Sequence, residues 1–209
     1  MAPNGMPPRC SGCRSLERHR GFRIVFEALR RLALGARRAL QFSDDPAVDP
    51  AWFAAHEVSV YGGANTLDLA AIDRPDRCYD VVICNHVLEH VGDDRAALAE
   101  LDRILAGEGW LFLSVPDPLR VPATLEYGRR RDDRHGHFRL YGPDIEARFA
   151  ATVPASKVVR VTAHDPVTGA PDRCFLITRS AAEQARLLAA LRAGGVSDAT
   201  PVTPVPASS

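Results

Sequence analysis

Residues 79–116, YDVVICNHVLEHVGDDRAALAELDRILAGEGWLFLSVP, decide how the rest of the chain is read. The apolar run 81–84 is rich in β-branched residues and too short for a helix, so it reads as a strand buried on both faces. Asp93 or Asp94 offers an N-cap, and Ala97, Leu98, Leu101, Ile104 and Leu105 then recur at three- and four-residue spacing. That lays one apolar stripe along a helix, which Gly107 is expected to stop. A second apolar run, 110–115, follows at once. Strand, helix and strand at this spacing make a βαβ unit with a right-handed crossover and parallel strands. Both strand ends therefore share one edge. It carries Asn85, His86, Glu89 and His90 from the first strand and Pro116 and Asp117 from the second. Open α/β sheets bind ligands outside the carboxyl ends of their strands, so a site is expected there.

Working outward, 209 residues with 46% hydrophobic and 25% charged content fit one ordinary globular domain. A formal net charge of zero argues against a polyanionic partner. Residues 1–40 do hold nine arginines against Glu17 and Glu27, but no aromatic residues alternate with them as a base-stacking surface needs. They read as a solvated helix face, and no nucleic-acid partner is expected. No apolar run reaches the roughly 18 residues that span a bilayer, and the N-terminus lacks the apolar core of a signal peptide. A cytoplasmic protein without a membrane partner is expected. Five cysteines, two of them (Cys84 and Cys174) in expected strands, fit reduced thiols. Cys10 and Cys13 have half the spacing of a zinc ribbon, but His19 is the only further donor close by; no metal is expected.

Residues 1–14 read as a disordered N-terminus, and Leu16, Phe22, Val25, Phe26, Leu29 and Leu32 approximate a helical stripe after it. Strands are expected at 39–42 and 57–61. Only 18 residues separate Tyr61 from Asp80, too few for a full helix, a strand and two loops. Gly62-Gly63 fits either a plain turn or a close backbone approach to a ligand. Residues 117–142 read as a long polar loop ending in His135, His137, Arg139 and Tyr141. A short helix (144–149), strands 157–163 and 174–178 as an antiparallel hairpin, and a helix over 181–193 follow. Residues 195–209, rich in Pro, Ser and Thr, read as a disordered tail.

The 79–116 stretch resembles the fourth strand, following helix and fifth strand of class I S-adenosylmethionine-dependent methyltransferases. Within that superfamily it is most similar to the small "NHVLEH" methyltransferase-domain proteins. Pieces at CRSLERHR, LDLAAIDRPDRCYD, HGHFRLYGPD and DRCFLITRS extend the likeness. It implies a Rossmann-like α/β domain over 15–180: a mostly parallel sheet, a C-terminal antiparallel hairpin and helices on both faces, with a C-terminal helix at 181–194. It implies S-adenosylmethionine as cofactor, touching Phe42, Ser43, Tyr61, Gly62, Asp68, Leu69, Asn85 and His86. The implied reaction methylates an oxygen or nitrogen of a small-molecule acceptor, a sugar or a secondary metabolite. His135 and His137 are the expected bases, because an imidazole accepts a proton near neutral pH. Asp117, Arg139 and Tyr141 are expected on the acceptor. One departure stands out: Ser43-Asp44-Asp45-Pro46 replaces the superfamily's Gly-x-Gly loop after the first strand. The alternative is a non-catalytic binding or scaffold module that kept the sheet.

Overall fold

The computed structural model describes residues 9–203. The chain opens with α1 (Glu17–Leu29) and then lays down β1 (Arg38–Phe42), β2 (Ala55–Ser59) and β3 (Tyr79–Asn85). Next come α2 (Asp94–Ile104), β4 (Leu105–Ser114), a small hairpin of β5 (Leu125–Arg131) and β6 (His137–Leu140), and α3 (Ile145–Thr152). It closes with β7 (Lys157–His164), β8 (Pro171–Thr178), α4 (Ala181–Ala193) and β9 (Ala199–Val202).

Seven strands form one sheet in the order β2-β1-β3-β4-β8-β7-β9. β2, β1, β3 and β4 pair in parallel, while β8 is antiparallel to both β4 and β7. β7 therefore runs with β1 to β4, and only β8 and β9 oppose the common direction. The βαβ reading of the opening stretch holds: Val81 to Asn85 face Trp110 to Ser114 in register.

Both faces are covered, as near-continuous apolar strands require. On one, Phe22, Phe26 and Leu29 of α1 and Leu187 and Leu191 of α4 pack on Val81, Ile83, Trp110, Phe112 and Val161. On the other, Leu98 and Leu101 of α2 and Ile145 and Phe149 of α3 pack on Leu40, Val82, Cys84, Leu111 and Ile177. Full burial of a side chain of this size contributes about 1.5–3 kcal/mol. Asp93 caps α2, its Oδ1 accepting from Ala96 N at 2.9 Å.

Several local expectations are corrected. α2 ends at Ile104, ahead of Gly107, and the chain enters β4 directly. The tight glycine is instead Gly109, where a Cβ would come within 2.8 Å of the Asp80 carbonyl oxygen as the β3–β4 register shifts. Between β2 and β3 the chain has neither helix nor strand, which the short spacing explains. The 117–142 loop contains the β5–β6 hairpin, whose exposed arginines hide strand periodicity. The tail contributes β9, pairing with the outer edge of β7, where Pro201 costs no interior ladder bond. Residues 9–14 form a turn, with Cys10 N donating to Ser15 O at 2.9 Å. The disorder expected for 1–8 and 204–209 lies outside the described residues. No helix among the described residues is long and apolar enough to cross a membrane.

Candidate active site

β1, β3 and β4 end side by side, and a polar chain ties the three ends together. Asp45, just past β1, accepts from Ala47 N at 2.8 Å and from Asn85 Nδ2 at 3.2 Å. The Asn85 Oδ1 in turn accepts from Ser114 Oγ at 3.2 Å. Asp45, Asn85 and Ser114 are all buried. Two non-glycine residues at this edge bend the backbone into the left-handed region: Ser43 at φ 67° after β1 and His86 at φ 52° after β3. Each such residue costs on the order of 1–3 kcal/mol, a strain that collects at functional sites. Backbone bonds hold both in place, Ser43 N to Ser59 O and His86 N to Ser114 O, each at 2.9 Å.

Above this edge, polar atoms are sealed from solvent without partners: His86 Nε2, Glu89 Oε2 and Arg18 Nε from the start of α1. Native proteins rarely leave such atoms orphaned, so a cluster of them marks a place built for something else. Burial pushes Glu89, only 1% exposed, up to about 8, and holds His86 well below the ordinary histidine value. The nearest contact between them is His86 Nδ1 to Glu89 Oε1 at 3.6 Å. Burial lowers Arg18 while Asp45, Asp172 and Glu89 pull it back. Asp172, at the start of β8, is raised to about 6 by burial, with Asp117 adding to the rise.

Across from His86 stands a histidine group. The His90 and His137 rings meet edge to face at 4.7 Å, and His135 lies 6.0 Å from His137. Burial first, then His90 and His135, lower His137 to about 4. One ligand atom each from Glu89, His90 and His137 lies within 4.8 Å of the others. The β5–β6 hairpin delivers His137 to this point. Its Arg139 donates to Val91 O at 2.6 Å and Gly92 O at 2.7 Å, clamping the hairpin onto the turn after β3.

The fold thus gathers Phe42, Ser43, Asn85 and His86 at adjacent strand ends, with Leu69 in the same apolar cluster as Phe42. Tyr61 is 90% exposed, and Gly62, at φ 73°, sits in the turn closed by Gly63 N to Val60 O. Asp68 is exposed and caps its own turn, accepting from Ala70 N at 2.9 Å, which leaves its second oxygen free. Asn65 donates to Glu57 Oε1 at 3.0 Å and to the Val58 carbonyl at 2.9 Å. Asp117 caps the turn Pro118–Arg120 and acts on Asp172 at the strand edge.

Two acceptor-side assignments are corrected. Arg139 is 4% exposed, and its guanidinium is consumed by Glu126 and backbone carbonyls. Tyr141 is fully buried and donates to Asp94 Oδ2 at 2.6 Å. Both fix the hairpin; neither presents a donor to a ligand. Conversely, Arg18, Asp45 and Asp172 were not singled out from the sequence. Asp45 carried a signal, since it stands in the loop where glycines were expected; Arg18 was lost among neighbouring arginines.

A family model described as a methyltransferase domain matches residues 21–151. Over 49 residues the chain is 41% identical to the ubiquinone biosynthesis O-methyltransferase of Nitrosomonas europaea. That stretch is 23% of this chain and spans only 20% of the relative's length. Among solved structures, the 1,6-didemethyltoxoflavin-N1-methyltransferase of Burkholderia thailandensis superposes with a TM-score of 0.52 at 14% identity, covering 75% of this chain and 77% of that one. It was solved with 1,6-didemethyltoxoflavin and S-adenosylhomocysteine bound. A Bacillus halodurans structure described as a methyltransferase gives 0.52 at 11% identity, covering 74% and 98%. At these identities the likeness concerns the fold.

Proposed function

The chain belongs to the methyltransferase-domain family, and from that premise we propose that it transfers a methyl group from S-adenosylmethionine to an oxygen or nitrogen of a small molecule, with a sugar or secondary metabolite as the acceptor class. The observation that carries this is the pair of left-handed bends at Ser43 and His86, at the adjacent ends of β1 and β3, beside which buried polar atoms of Arg18, His86 and Glu89 go unpaired. Ser43 supports there the sharp turn that a glycine otherwise provides, so the Ser43-Asp44-Asp45-Pro46 replacement leaves the bend intact.

The residues present fit the cofactor's chemistry. Arg18 is a cation for a carboxylate, and Asp45 and Asp172 are acceptors for an ammonium. The free oxygen of Asp68 suits the adenine amine or a ribose hydroxyl. Phe42 and Leu69 form an apolar floor, and Tyr61 offers an exposed ring. S-adenosylmethionine supplies a methyl carbon on a sulfonium, already electrophilic. What remains for the protein is alignment, which removes on the order of 7–11 kcal/mol from a barrier. When bound, the cofactor would yield that methyl to the acceptor and be left as S-adenosylhomocysteine, and the proton the acceptor gives up would pass to a histidine on the acceptor side or to water. His86 would shape the methionine end of the cofactor from the β3 side, with His90, His135 and His137, whose rings group together, on the acceptor side.

Calorimetric titration with S-adenosylmethionine and S-adenosylhomocysteine tests the proposal. Micromolar binding, about −8 kcal/mol, is expected. A folded protein that gives no heat at high ligand concentration fits the non-catalytic binding or scaffold module instead.

A further inference from the structure

Glu89 is a buried carboxyl group with one oxygen that nothing in the fold holds. It is 1% exposed, its Oε2 has no hydrogen-bond partner, and its Oε1 comes no nearer to His86 Nδ1 than 3.6 Å, beyond a hydrogen bond. Burying such a group as a charged carboxylate is expensive, and a bound cation is one way to hold it there ionised. Two imidazoles stand in position to share that cation. His90 is its sequence neighbour on the same turn, and His137 arrives on β6, with candidate ligand atoms of all three within 4.8 Å of one another. We propose that Glu89, His90 and His137 form a divalent transition-metal site whose open positions take an acceptor hydroxyl.

Metal bonds to histidine nitrogen and carboxylate oxygen are about 2.0–2.2 Å, so ligands of one ion sit roughly 3–4 Å apart. The three side chains need to close by about an ångström. His90 is exposed and His137 half-buried, so both rings have room to rotate. The framework beneath them is rigid. Arg139 nails β6 to the carbonyls of Val91 and Gly92, and Phe138 packs on Gly92. Two nitrogens and one oxygen select zinc, iron(II), cobalt or manganese over calcium or magnesium, which prefer all-oxygen sites. Three protein ligands leave positions for an incoming oxygen, as catalytic sites do. A hydroxyl bound there releases its proton to water at neutral pH and becomes the nucleophile. The hydroxyl role rests on the methyltransferase reading; the ion site does not. His137 then serves as a ligand and not as the expected base.

The test uses the full chain, freed of any affinity tag and stripped with a chelator, titrated with cobalt(II) alone and with zinc(II) in competition. A single bound ion with visible d–d absorption is expected. Affinity should fall at least about tenfold in His90→Ala and in His137→Ala, both accessible positions, and stay unchanged in His164→Ala. Glu89→Gln, checked for fold by circular dichroism, should weaken binding likewise. Absence of cobalt binding overturns the proposal. So does binding that survives these substitutions and disappears in the Cys10→Ser, Cys13→Ser double variant, which places the ion on the N-terminal pair. A parallel titration with S-adenosylhomocysteine separates the two readings. Binding of that ligand without cobalt sinks the ion site alone; cobalt without that ligand sinks the methyltransferase reading and, with it, the hydroxyl role.

Discussion

Replacing Arg139 with alanine should destabilise the protein instead of weakening a ligand, and the size of the effect follows from its contacts. The side chain bonds Val91 O at 2.6 Å, Gly92 O at 2.7 Å and Glu126 Oε2 at 2.9 Å, and lies 3.6 Å from Asp94 Oδ2. Its removal strands two carbonyls and leaves Arg148 to balance the charge of both Asp94 and Glu126, with Tyr141 still donating to Asp94. Breaking a buried charge network from one side costs about 3–5 kcal/mol. For a chain of this length each kcal/mol lowers Tm by about 2–4 °C, so the fall should be about 6–20 °C. Arg139→Lys should recover only part of it, because an ammonium cannot span carboxylate and carbonyls as the planar fork does. Thermal unfolding followed by circular dichroism reads this directly. A variant that melts within about 2 °C of the parent would refute the reasoning and return Arg139 to the acceptor.

Asp68→Ala should weaken S-adenosylhomocysteine binding about tenfold, since a hydrogen bond to a charged acceptor contributes about 1.5–3 kcal/mol; unchanged affinity in a folded variant places the adenine elsewhere. Asp165, paired with Arg20 at 2.6 Å, is held well below the ordinary aspartate value by that guanidinium. Its folded-state value is depressed, so its stabilisation is complete above about pH 4 and lost as pH falls further. The urea midpoint of the parent should therefore exceed that of Asp165→Asn at neutral pH, with the gap narrowing steadily as pH falls below about 4; a constant gap contradicts the pairing. Gly194→Ala should lower Tm, because the new Cβ would come 2.2 Å from Ala28 Cβ where α4 meets α1. Overpacking of this kind costs about 1–3 kcal/mol, and an unchanged Tm shows that the helices shift freely.

The central strands were legible because they are apolar runs with distinct boundaries, and the βαβ unit fixed which ends share an edge; β2, half-polar at the sheet edge, lies at Ala55–Ser59, two residues ahead of the expected 57–61. The β5–β6 hairpin was not, since a ribbon lying outside the core has no buried face to impose alternation on Arg129, Arg130 and Arg131. β9 escaped for a related reason: an edge strand holding Pro201 needs only part of its ladder. In the site, the sequence pointed to Asn85, His86 and the later histidines but not to how they combine. Arg139 and Tyr141 look like ligand-binding residues in a polar stretch; only the fold shows them buried against Asp94 and Glu126. Glu89 and His137 are far apart in sequence, and nothing local to either says that they meet.

The most direct measurement is a crystal structure of the chain grown with S-adenosylhomocysteine. The account predicts the ligand across the ends of β1 and β3, its methionine end between Arg18 and His86 and its adenine toward Asp68 and Leu69. Density elsewhere, such as the groove beside α1 lined by Cys13, Arg20 and Pro166, or no ligand at saturating concentration, would contradict it.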